Sequence, residues 1–201
     1  MDDRKWKNKT QGDQVLKFRK PDIYYDTWPI EDGRQIAQMR SRVVSIIDTP
    51  VSFRLNWLRE RGWIGVPAPS DTHLGDSEID SLSLALNRLH IKECVAVATM
   101  PLENYPLVFR MRSTVNGLDG FNWLCGGLDY ILTTDDTRFA ILFVRADFKV
   151  YASTQTTVEA LMSMSLEEAY RKYQEHCSKE SWRHAERHFL ISQAERYADL
   201  R

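Results

Sequence analysis

The alternation of apolar and polar positions is clearest over residues 128–152. Three apolar runs, 129–133, 139–144 and 148–152, are separated by Thr134-Asp135-Asp136-Thr137 and by Arg145-Ala146-Asp147. Short apolar runs bounded by turn-forming residues predict an antiparallel meander. The middle run, FAILFV, is apolar at every position, as a strand covered on both faces would be. Upstream, 94–100 (CVAVATM) predicts another buried strand. Residues 107–114 alternate, with Phe109 and Met111 on one side and Arg110 and Arg112 on the other, the pattern of a half-exposed strand. Asn116-Gly117 and Asp119-Gly120 carry turn chemistry, and 121–127 suits either a short helix or a loop.

Helical periodicity flanks this central region. Ile36, Met39, Val43, Ile46 and Ile47 predict a helix over 33–47, with Asp32 as its N-cap. Thr49-Pro50 predicts the end of that helix and the start of a second. Its inward residues are Val51, Leu55 and Leu58, with Phe53 and Trp57 alongside, and Gly62 closes it. Residues 63–76 (WIGVPAPSDTHLGD) read as a long loop, functional or mobile. Ile79, Leu82, Leu86 and Leu89 predict a third helix over 78–89. Residues 158–200 read as helical, in two runs. The first is capped by Ser165 and Glu168, and the second carries Trp182, Ala185, Phe189 and Tyr197. The expected class is α+β, a mainly antiparallel sheet of about five strands packed by N- and C-terminal helices. The expected organisation is a basic flexible arm over 1–20 (Arg4, Lys5, Lys7, Lys9, Lys17, Arg19, Lys20) and one domain over 21–201.

Composition narrows the functional classes. The 201 residues, 43% hydrophobic and 27% charged, suit a globular domain able to bury a core. A net charge of -1 provides no overall field toward nucleic acid or anionic lipid. No apolar run approaches the ~20 residues of a membrane helix, and the first residues lack the apolar core of a secretory signal. Cys94, Cys125 and Cys177 form no CxxC pair, so neither a disulfide framework nor a zinc ribbon is indicated. The expectation is a cytoplasmic protein with no membrane partner, no cofactor and no metal.

Four groups of residues carry candidate chemistry. Cys177, His184 and His188 would share one face of a continuous helix. His184 and His188 alone have a metal-binding i, i+4 spacing, but Glu186 is out of place for a zincin motif and Arg187 adds repulsion. Cys125 precedes Gly126-Gly127, which would let a substrate or backbone approach, though a cysteine packed as a small apolar residue before a glycine turn is the plainer reading. A nucleophilic role needs a histidine, and His73 and His90 are the candidates before it. Asp119, Asp129, Asp135 and Asp136 form an acidic set, for which turn chemistry is the plainer account at Asp135-Asp136. Arg110, Arg112, Arg138, Arg145 and Lys149, with Tyr151, suggest a basic sheet face. No aromatic nucleic-acid motif accompanies it, and a solvated outer face is the plainer reading. No P-loop, GxGxxG, GxSxG, HExxH or kinase motif is present.

The reading that best accommodates these features is a non-enzymatic protein-binding domain. Its contact candidates are Tyr24, Tyr25 and Trp28 between Pro21 and Pro29, Trp63 and His73 in the proposed loop, and Asp135-Asp136. In overall size, and in the segment CGGLDYILTTDDTRFAILFVRADFKVYAS, the chain resembles small α+β immunity or inhibitor proteins of bacteria, without sharing a family motif. That resemblance implies a toxin-like protein partner. The alternatives are a cysteine-dependent enzyme using Cys125 and a nucleic-acid-binding accessory protein using residues 1–20 and the arginine face.

Overall fold

The computed structural model describes residues 26–70, 74–100, 106–125, 128–144, 148–179 and 181–200. The basic arm, Tyr24, Tyr25, His73, Gly126, Gly127 and Arg145 lie outside them. In chain order the elements are β1 (Thr27–Pro29), α1 (Gly33–Ile46), β2 (Ile47–Thr49), β3 (Ser52–Phe53), α2 (Leu55–Glu60) and β4 (Ile64–Pro69). There follow α3 (Asp76–Arg88), β5 (Glu93–Ala98), β6 (Val108–Arg112), α4 (Val115–Cys125), β7 (Tyr130–Thr133), β8 (Ala140–Val144) and β9 (Phe148–Ser153). The chain closes with α5 (Gln155–Met162), α6 (Leu166–Cys177) and α7 (His184–Ala198). The class is α+β. The main sheet has seven strands in the order β1-β6-β5-β7-β8-β9-β4, and β2 and β3 form a separate two-stranded ribbon. Every pairing in both is antiparallel.

The meander forms as β7-β8-β9, with Leu132 opposite Ile141 and Leu142 opposite Val150. Strand alternation sends Ile141, Phe143 and Tyr151 to one face and Ala140, Leu142, Val144, Phe148 and Val150 to the other. Helices α3, α4 and α5 cover the first face. Helices α1 and α7 and the β2-β3 ribbon cover the second, and α6 contributes to both. A sheet covered on both sides has no outward face over its interior strands, which is why FAILFV is apolar throughout.

Five sequence expectations are corrected. The sheet has seven strands rather than about five, because β1 and β4 extend it at either edge. Residues 64–69 are strand, not loop. Pro67 and Pro69 lack an N–H but occupy an edge strand, where only one side is paired. The second helix starts at Leu55. Before it, Pro50 and Val51 turn the chain between β2 and β3, held by a 2.7 Å bond between the Thr49 and Ser52 hydroxyls. Asn116-Gly117 and Asp119-Gly120 lie inside α4, not in turns. Gly117 is there because a Cβ would overlap the Arg112 carbonyl, so the glycine sets how closely α4 approaches β6. The C-terminal helical segment begins at Gln155 and contains α5 as well as the two expected helices.

Candidate functional site

The β7–β8 turn projects beside α1. Thr134 organises it, donating to Asp136 Oδ1 at 2.7 Å and accepting from the Arg138 amide at 2.9 Å. Thr137 takes the left-handed conformation that closes the turn (φ 54°). Asp135 is engaged on both sides. Its carboxylate grips the Arg110 guanidinium through two bonds of 2.7 and 3.0 Å, and its carbonyl accepts from Arg42 Nη1. Arg110 also reaches Glu93 at 3.3 Å, and hydrogen bonding to Asp135 raises its pKa further. This bidentate pair fixes the tip against β5, β6 and α1.

Between this turn and α2 lies a recess of about 290 Å³. Arg42 and Ser45 line it from α1, Trp57 from α2, Arg61 from just beyond α2, and Asp135, Asp136 and Thr137 from the turn. A second recess of about 500 Å³ shares Ser45 and Trp57 and continues along Arg54, Arg59 and Arg196. The two make one groove with Trp57 at its midpoint. Trp57 is half-buried and stands edge-on to the buried Trp63, with ring centroids 5.1 Å apart. The Arg61 guanidinium lies 4.6 Å from the Trp57 ring centroid and 5.5 Å from that of Trp63. No carboxylate pairs with Arg61 among the described residues. Arg196 pairs with Asp48 at 2.9 Å, and Arg59 bonds Asn56 at 3.2 Å. With Asp135 paired to Arg110 and Asp48 to Arg196, the groove presents Arg42, Arg54, Arg59 and Arg61 against Glu60 and Asp136.

Of the residues singled out from the sequence, Asp135 and Asp136 form one wall of this groove and Trp63 supports its floor. Trp28 lies opposite Arg110 in the β1-β6 register, hence on the same sheet face. Trp57, Arg61, Arg42 and Arg54 were not singled out. The run LNWLRER held the signal for two of them, a tryptophan followed by arginines two and four residues later.

The other candidates sit elsewhere. Cys125 is buried at the end of α4 beside Tyr130, and burial pushes its thiol well above the ordinary range, the surroundings of an inert thiol. Cys177 ends α6 and packs inward, whereas His184 and His188 are exposed on α7 with rings 6.3 Å apart. The continuous helix that would align all three is therefore absent. No cluster of three or more metal-ligating side chains occurs among the described residues. Arg112 pairs with Asp26 at 3.4 Å, and Lys149 is buried, not part of a solvated face. No helix among the described residues is long and apolar enough to cross a membrane. Comparison of the chain with protein-family models, curated proteins and solved structures found no match.

Proposed function

We propose that the chain is a non-enzymatic protein-binding domain and that it engages its partner through the groove between α1, α2 and the β7–β8 turn. One observation carries this reading. Arg61 stacks on Trp57 at the midpoint of the groove, and Trp63, buried beneath, holds both in place. Tryptophan and arginine are the residue types that most often dominate binding energy at protein interfaces. Held rigid before contact, they lose little side-chain entropy on binding. The arginine excess along the groove favours a partner surface rich in carboxylates, with Asp136 and Glu60 setting register. The finer reading, an immunity- or inhibitor-type protein that neutralises a toxin, rests on the resemblance in size and central segment.

The test is a tagged pull-down from the native host, run in parallel with the wild type, Trp57→Ala and Arg61→Ala. The wild type should retain a protein that each variant binds about 30-fold more weakly, as expected when a residue contributing about 2 kcal/mol is truncated. Equal retention by all three, or recovery of nucleic acid in place of protein, would overturn the reading. Neutralisation of a neighbouring gene product by the wild type but not by Trp57→Ala would support the finer one.

A further inference from the structure

The opposite face of the sheet carries a polar cluster that the groove does not use. Lys149 projects from β9 toward α3 with its side chain only 2% exposed. Its Nζ pairs with Glu78 Oε1 and lies 5.9 Å from the Phe143 ring centroid. Tyr151, two residues on and so on the same face, donates to the same Glu78 Oε1 at 3.1 Å. Oε1 thus takes two donors, while Oε2 accepts from no group among the described residues. The Glu78 side chain is 33% exposed and lines a partly enclosed cleft of about 190 Å³. Ala68, Met162, Met164 and Ala169 make its apolar walls. Pro69, Tyr151 and Lys172 also line it, with Lys172 paired to Glu168 at 2.9 Å.

We propose that this cleft is a binding site for a small, uncharged, largely apolar molecule with a single hydroxyl or amide donor, which bonds Glu78 Oε2. The volume falls below the ~300–1,000 Å³ of drug-sized sites, so the occupant is about one ring or a short branched chain. Charge selects its head group. A cation would meet Lys172, and an anion would meet Glu78. Each of these charges is already paired, so a neutral donor disturbs neither pair. The small side chains at 68 and 169 leave the space open, and the unbranched thioethers of Met162 and Met164 adapt to varied apolar shapes. The site is independent of the groove, since the two lie on opposite faces of the sheet.

Three probes share one ring and differ in head group: benzyl alcohol, benzylamine and benzoate. Methionine-methyl NMR of the full chain reads binding at Met162 and Met164, with resonances assigned from Met162→Leu and Met164→Leu. Benzyl alcohol should shift both signals saturably, and the two charged probes should bind about tenfold more weakly or worse, the penalty for bringing a charge beside a like one. Met164 is half-buried, so Met164→Trp fills the mouth without burying new polar groups. It should abolish the Met162 shift while circular dichroism stays as in the wild type. No saturable shift at millimolar benzyl alcohol, equal binding of the three probes, or unchanged binding to a folded Met164→Trp variant would each overturn the proposal.

Discussion

Glu78 and Lys149 are a pair whose members are unequally placed. Lys149 is almost wholly buried, whereas a third of the Glu78 side chain reaches solvent. Removing either partner of a buried pair leaves a charge facing low dielectric, and that residual charge dominates the cost. Glu78→Ala takes one carboxylate partner from an ammonium that has little access to water, and should be clearly destabilising, by about 1–3 kcal/mol. Lys149→Met leaves a carboxylate that water can reach and that Tyr151 still contacts, so its cost should be clearly smaller. Glu78→Leu combined with Lys149→Met removes both charges of this pair and should regain part of the loss. Chemical denaturation of the three variants measures this order. Equal costs for the two single variants would show that the exposure difference carries no weight.

At the level of elements, α4 and β6 are spaced by the absence of a side chain at Gly117. Alanine normally favours a helix over glycine by about 1 kcal/mol. Here the added Cβ meets the Arg112 carbonyl, which is backbone and cannot swing aside. Gly117→Ala should therefore destabilise the protein by about 1–3 kcal/mol, while Asn116→Ala, exposed on the same helix, should stay within about 0.5 kcal/mol of the wild type. A thermal melt of each variant gives the answer. The same glycine shows where the sequence misleads. Asn116-Gly117 carries a turn signature, and only the approach of β6 explains a glycine inside a helix. The meander was legible because its turns, its runs and its two-sided burial all agree. Strand β4 was not, since Pro67 and Pro69 look like breakers until the strand is known to lie at an edge. Lys149 was misread for a related reason: a charged residue in a strand suggests an outward face, and this sheet has none at that position. Asp135, Asp136 and Trp63 were legible as candidates from residue type, but packing alone brings Trp57 and the arginines to them.

For the molecule as a whole, burial of acidic hydroxyls and thiols ties stability to pH on the alkaline side. The Cys94 thiol is pushed up to about 12 by burial, with Glu93 adding to the effect, and burial also raises Tyr151 and Tyr197. These groups are neutral in the folded protein and ionise more readily when it unfolds. Their contribution is complete below the unfolded pKa, ~8.5–10 for these groups, and is lost as pH rises toward the folded values. The melting temperature should hold between pH 7 and 8 and fall progressively above about pH 9. Cys94→Ala should flatten the decline between pH 9 and 12. A parallel decline in that variant would show that the tyrosines and the other buried thiols set it. The β4–β9 pairing has another consequence, for how the chain is made. Ile64 is opposite Ser153, and the amide of Phe53 donates to the hydroxyl of Tyr197. Strand β4 therefore emerges from the ribosome about 90 residues before the strand it pairs with, an interval on the order of ten seconds at ordinary rates of synthesis. Throughout that interval Trp63, Ile64 and Val66 lack the strand they pair beside, so the nascent N-terminal third cannot complete its core until β9 arrives.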